Sequence, residues 1–331
     1  LHYPLRRQRQ MCIRDRYIGI IGGTGTIGSI IVKYLLQLQT HFHVLIGGRR
    51  SIKEISMSTF YNSERLKYNQ MNYNNDVELD NFCSQCLLVI NAVGPSFKIN
   101  DKIALHALRN NCHYIDIGGY GILRDLLKPY EKSIEAQKLC FIIGVGWMPG
   151  ISGVFSKTII ETHLNSPENT NFNIYYGAVD NWSYSSTYDL AASSMGKTRS
   201  YVYSHGKEIQ VSPFRYTHHK FFPFIGHKKI CMPSFDEQLT QLATSLKQIR
   251  KISTFIMLND YISMGKFMFI KIFYKHNLNK ATLMLQDDYQ RLVKKENKWG
   301  SVICQVSKIE PERKIDTFYY LYTVSYTHLR A

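Results

Sequence analysis

Between Tyr17 and about Gly150, short apolar runs alternate with longer stretches whose apolar residues recur every three to four positions. That alternation predicts strand-helix-strand units on a parallel sheet. Strands are expected at Tyr17–Ile21 (YIGII), His43–Ile46, Leu87–Val93 (LLVINAV), His113–Ile117 and Leu139–Val145. Helices are expected at Ile27–Leu38, Asp101–Asn110 and Gly121–Lys138, with Asn100 and Asp101 supplying acceptors where the second begins. A further strand is expected within the polar, Asn-rich stretch Met71–Asp80. After Met148-Pro149-Gly150 the pattern changes. It predicts a helix over Ile151–His163, a strand over Asn171–Val179, alternating segments within Ser200–Val211, a helix from Ser234 to about Asn259, and a strand near Trp299–Val306. The expected fold class is α/β: an N-terminal Rossmann domain, a doubly wound parallel sheet, over 17–150, followed by a second, α+β domain over 151–323 for substrate binding or dimerisation.

Composition changes this picture little: 331 residues with 44% hydrophobic and 20% charged side chains exclude disorder, collagen and small disulfide scaffolds. The formal charge of +16 is distorted by the chain ends. The stretch MCIRDR within Leu1–Arg16, and the tail from about Val324 to Ala331, resemble translated adaptor sequence and are expected to be non-native. Tyr17–Gly153 then holds 13 basic and 10 acidic residues, and Val154–Thr323 holds 22 and 14, a mild basic bias in the second half. The basic residues are spread out and form no recognisable nucleic-acid motif, so no nucleic-acid partner is expected. Seven cysteines, an odd number with no secretory leader, read as free thiols in a reducing, cytoplasmic setting. Cys83 and Cys86 lack the second pair a zinc ribbon needs, and no metal is expected. No run is long enough for a membrane span. Ile262–Tyr274 (ISMGKFMFIKIFY) reads as a half-buried element of the second domain, with peripheral contact to anionic lipid as the competing reading.

The strongest chemical signal is IGIIGGTGTIGS, which puts Gly23, Gly25 and Gly28 in G-x-G-x-x-G register between a strand and a helix. In that context Gly23 permits a tight turn, Gly25 lets backbone approach a pyrophosphate, and Gly28 lets the helix pack closely on the strand. The end of the second strand reads Gly47-Gly48-Arg49-Arg50, with no acidic residue to bond a ribose 2′-hydroxyl. Two guanidiniums suit a 2′-phosphate by charge and forked geometry, so the expected cofactor is NADP. Val89-Ile-Asn-Ala-Val-Gly-Pro95 runs from buried strand into a turn at the sheet edge, where the nicotinamide half of a dinucleotide lies. Asn91 there either contacts cofactor or bonds a neighbouring loop.

Together GGTGTIGS, GGRR, VINAVGP, HYIDIGGY and GVGWMPGISG resemble, in order, the saccharopine dehydrogenase-like oxidoreductase family, closely over about Tyr17–Phe155 and loosely beyond. The resemblance implies a Rossmann domain joined to an α+β domain, with NADP contacts at Gly23, Thr24, Gly25, Thr26, Ile27 and Gly28, at Arg49, and at Ala92, Val93 and Gly94. Tyr120 stands where relatives carry a carboxylate, and Ser186-Thr187 where they carry a Gly-Thr segment. The implied activity is hydride transfer to or from a C=N, C=O or C=C bond of a small substrate. Asp116, with Tyr114, is the candidate for moving the proton or holding a substrate amine, its alternative being a loop cap. A short-chain dehydrogenase would need Tyr-x-x-x-Lys on a helix, and the matches Tyr203–Lys207 and Tyr216–Lys220 sit in sequence without helical character. The alternative to an enzyme is a non-catalytic NADP(H)-binding module that docks on a membrane or protein partner. A homodimer is a further partner the reading leaves open.

Overall fold

The computed structural model describes residues 16–38, 41–51, 63–163, 169–195, 201–205, 207–234, 241–243, 249–309 and 314–323. Nearly all of the two adaptor-like ends, and parts of the expected helix from Ser234, lie outside the described residues. The chain divides between Gly146 and Trp147 into two compact units.

In the first unit, β1 (Tyr17–Ile21), α1 (Thr26–Gln37), β2 (Val44–Gly48), β3 (Leu66–Gln70), α2 (Asp76–Cys83) and β4 (Cys86–Asn91) are followed by α3 (Ser96–Ile99), α4 (Lys102–Arg109) and β5 (His113–Asp116). The unit closes with α5 (Tyr120–Leu127), α6 (Glu131–Ala136) and β6 (Phe141–Ile142). The six strands are parallel in the order β3-β2-β1-β4-β5-β6, the doubly wound arrangement with its switch point between β1 and β4. Both faces are buried because successive strand residues point to opposite sides. Ile21, Leu45 and Val89 pack with α2 and α4, while Ile20, Ile46 and Ile90 pack with α1 through Val32.

One expectation is corrected in this unit. The strand sought in Met71–Asp80 is Leu66–Gln70, an edge strand with one neighbour and a partly exposed, polar side. The Asn-rich stretch is instead the start of α2. The Asn75 side chain accepts from the Val77 and Glu78 amides and donates to Glu78 Oε1 at 2.7 Å, while Glu78 Oε2 accepts the Asn72 amide at 2.7 Å. This reciprocal cap makes polar residues a helix signal at that point.

The second unit holds α7 (Ile151–His163), β7 (Thr170–Val179), α8 (Tyr184–Met195), β8 (Tyr201–Ser204), β9 (Lys207–Gln210), β10 (His218–Phe222), β11 (His227–Pro233) and β12 (Lys251–Leu258). It ends with α9 (Tyr261–Phe273), α10 (Leu278–Lys295), β13 (Trp299–Ile309) and β14 (Lys314–Thr323). Its mixed sheet runs β10-β11-β12-β7-β13-β14, with β8 pairing with both β12 and β9. The helix expected from Ser234 to about Asn259 is overturned over its last part. Lys251–Leu258 (KISTFIML) is a central strand, parallel to β7 and antiparallel to β11, which its β-branched and aromatic content favours. Tyr203 and Lys207 lie on the two strands of a hairpin, and Tyr216 ends the helical turn Pro213–Tyr216 while Lys220 lies on β10, so neither Tyr-x-x-x-Lys match has both residues on one helix.

Candidate functional site

At the carboxyl ends of the parallel strands, the β1–α1 turn is built by Gly22, whose φ of 83° suits glycine, and its amide donates to the Gly47 carbonyl at 2.8 Å. The tight-turn role expected of Gly23 therefore belongs to Gly22. Gly23 is required for space, since a Cβ there would come within 2.8 Å of Ile46. At Gly28 a Cβ would run into the Gly22 carbonyl oxygen, so α1 can begin this close to the turn only with glycine at that position. The doublet Gly22-Gly23 was the available signal for the missed residue, but the motif register draws the eye to the second glycine.

Gly25 stands at the N-cap of α1 and supplies no side-chain acceptor, and no acidic residue occupies the first turn through Thr26, Ile27 and Gly28. The N-terminal amides and the positive end of the helix dipole are thus left for an outside anion. Across the turn, Arg50 Nη2 donates to the Thr24 carbonyl at 2.9 Å and reaches Thr24 Oγ1 at 3.3 Å. The neighbouring Arg49 is exposed, and its guanidinium has no hydrogen bond or ion pair among the described residues. Its backbone is held from β3: Gln70 Nε2 donates to the Arg49 carbonyl at 3.3 Å, and Tyr68 Oη to the Arg50 carbonyl at 2.5 Å. Sequence reasoning missed Tyr68 and Gln70, because β3 itself was not legible.

On the other side of the switch point, Asn91 ends β4 and is 2% exposed. Its Oδ1 accepts the Val93 amide at 3.0 Å, and its Nδ2 donates to Asp116 Oδ2 at 2.8 Å, the residue facing it in register on β5. Tyr114 Oη donates to the same Oδ2 at 2.5 Å, and Asp116 Oδ1 accepts the Gly118 amide at 2.8 Å. Burial raises the Asp116 carboxyl against the opposing effect of these three donors. Burial, and next the Asp116 charge, hold the Tyr114 phenol well above its ordinary range. The network pins the turn Asn91, Ala92, Val93, Gly94 beside the glycine turn: a Cβ on Gly22 would lie 3.0 Å from both the Ala92 oxygen and Val93 Cγ2. The structure thus brings the glycine turn, Arg49 and Arg50, and the Asn91–Gly94 turn to one edge of one sheet. Tyr114 and Asp116 lie beneath that edge, buried in bonds to the fold.

The family model of the saccharopine dehydrogenase NADP binding domain matches residues 18–140, the span that carries every one of these groups. Residues 18–140 belong to that domain family. Among solved structures, apo saccharopine dehydrogenase (L-Glu forming) from Saccharomyces cerevisiae is similar at 13% identity, over 93% of this chain and 86% of its own, with a TM-score of 0.61. At that identity the likeness establishes the shared fold, a Rossmann-like α/β unit followed by a mixed-sheet unit. An engineered D-amino acid dehydrogenase bound to NADP+ is similar at 9% identity over 95% of this chain and 84% of its own, with a TM-score of 0.45, too slight a likeness to argue from. No curated protein sequence matches the chain.

Cys83, Cys86 and Cys112 are buried, with Cys112 Sγ 3.1 Å from the Cys83 carbonyl, and burial pushes the Cys112 thiol up to about 11. No cluster of His, Cys, Asp and Glu suited to a metal occurs among the described residues. His218 bonds the Tyr216 carbonyl and packs on Phe255, and His219 bonds Tyr261. Among the described residues no helix is long and apolar enough to cross a membrane.

Proposed function

We propose that this chain is an NADP(H)-dependent oxidoreductase acting on a C=N, C=O or C=C bond of a small substrate. The observation that carries the reading is a strand end where, among the described residues, two arginines and no acidic residue follow and one guanidinium makes no bond, set beside a glycine turn and a helix N-terminus without a side-chain cap. An acidic side chain at the end of β2 would repel a 2′-phosphate, whereas Arg49 and Arg50 attract it. The residues fit the cofactor: Gly23, Gly25 and Gly28 leave backbone bare where a pyrophosphate would lie, and the Asn91–Gly94 turn would border the nicotinamide half. When bound, NADP(H) supplies or accepts the hydride.

Asp116 and Tyr114 act in this reading as positioning residues. Tyr114 holds Asp116, Asp116 accepts from Asn91, and Asn91 Oδ1 in turn accepts the Val93 amide, a chain of bonds that fixes the turn against which the cofactor would rest. The group that moves the proton then comes from outside this network. That same observation favours the second reading, a non-catalytic NADP(H)-binding module, since Asp116 and Tyr114, the carboxylate and phenol that the sequence offered for proton transfer, are both engaged in the fold's own bonds.

Thermal unfolding of the full chain with NADPH, NADH or neither tests the cofactor. Ligand that binds the native state raises the midpoint by mass action, by about 2.7 kcal/mol of stability at a concentration of 100 times Kd. The expected result is a shift with NADPH larger than with NADH, lost in Arg49→Ala with Arg50→Ala. No shift with either nucleotide in a cooperatively folding chain would sink the reading. NADPH oxidation against a panel of imines, keto acids and enones then separates enzyme from binding module.

A further inference from the structure

The segment read from sequence as half-buried, with lipid contact as the competing reading, is a helix with one buried side and one exposed apolar side. Ser263, Phe267 and Ile270 of α9 are buried, the last two in a cluster with Leu258, Ala281 and Leu285. The opposite side carries Ile262, Phe269, Ile272 and Phe273, exposed by 51%, 40%, 64% and 65%, with Gly265 open between them. On a helix these positions share one face of roughly 120°, which is therefore apolar where a solvated helix shows charge. Phe269 and Phe273 pack ring to ring at 4.5 Å, so the face is a preformed aromatic surface rather than scattered side chains.

The surrounding charge selects the partner. From Tyr261 to Gln286 the chain contains no Asp or Glu but has Lys266, Lys271, Lys275 and Lys280 and the imidazole of His276. Lys266 is neutralised by Asp287 at 2.9 Å and Asp288 at 3.3 Å. Lys275, His276 and Lys280 are exposed at the C-terminal end of the apolar face and make no ion pair among the described residues. An apolar stripe bordered by cations without counter-charges complements the headgroups and upper acyl region of an anionic bilayer. A second copy of the chain would bring the same cations together.

We propose that α9 docks the protein peripherally on anionic lipid, with Ile262, Phe269, Ile272 and Phe273 entering the interface and Lys275 and Lys280 on the headgroups. The anchor holds the second unit at a membrane surface independently of whether the first unit binds a nucleotide.

Flotation of the full chain with vesicles of phosphatidylcholine and phosphatidylserine, against phosphatidylcholine alone, tests it. Binding is expected with the anionic vesicles, weakening as salt is raised, because lipid charge is screened within a Debye length. Lys275→Gln with Lys280→Gln is expected to weaken it about fivefold per lysine. Ile272→Ser with Phe273→Ser, both on the exposed side, is expected to abolish flotation while leaving the thermal midpoint and any NADPH response unchanged. Absence of flotation with anionic vesicles, or equal flotation by the serine variant, overturns the proposal. So does a dimer in sedimentation that the serine variant converts to monomer, which would assign the face to a second copy.

Discussion

Gly28 shows how much of the site depends on one missing atom. Its Cβ would meet the Gly22 carbonyl, so Gly28→Ala must either push α1 away from β1 or distort the turn, a strain of about 1–3 kcal/mol. The expected outcome is a lower urea midpoint together with loss of the NADPH-induced shift. A variant that keeps both would show that the turn yields and that close approach there is unimportant. The residue types Gly23, Gly25 and Gly28, and Arg49 with Arg50, were legible because their chemistry resides in backbone bareness and in fixed positive charge. Asp116 was legible as an unusual carboxylate at a strand end, but its engagement was not. Its bonds from Tyr114, two positions away on the same strand face, and from Asn91 across the register, need the β4–β5 pairing to exist.

Among the elements, β1 and β4 declare themselves because they lie inside the sheet and their runs are almost continuously apolar, and α1 because its apolar residues recur at helical spacing. The weak signals belong to elements with one-sided neighbours or with capping chemistry: β3 at the sheet edge, and α2 behind Asn75. In the second unit, α9 and α10 are joined by a charged network. Asp260 caps α9 through the Ser263 amide and receives Arg291 at 2.7 and 2.9 Å, and Arg291 also reaches Asp288 at 2.9 Å. Burial alone would raise the Asp260 carboxyl, but its hydrogen bonds from Arg291 and Ser263 outweigh that and hold it at about 2. A carboxyl depressed in the folded state contributes stability that is present above its unfolded value, about 3.9, and lost as pH falls through the folded one. Urea midpoints measured from about pH 5 down to about pH 2 should therefore fall more steeply for the native chain than for Asp260→Asn, which keeps a capping oxygen and loses the charge. Parallel curves would mean that the pair contributes nothing to folding.

For the whole molecule, each unit has its own sheet and its own buried clusters, and this argues for separable folding units. Scanning calorimetry of the full chain is expected to give two transitions, of which NADPH raises one, because ligand stabilises only the unit that holds it. A single transition moved as a whole would show the two units to be cooperatively coupled. By itself the sequence determined the parallel Rossmann sheet, its glycine turn and the arginine pair, since each is encoded within a few consecutive residues as hydrophobic period, bareness or charge. Only the tertiary structure decided that Asp116 and Tyr114 are tied into the fold, that Lys251–Leu258 is a central strand, and that one side of α9 is left bare. Each of those outcomes is set by which neighbour a strand or helix acquires, and neighbours distant in sequence leave no local mark.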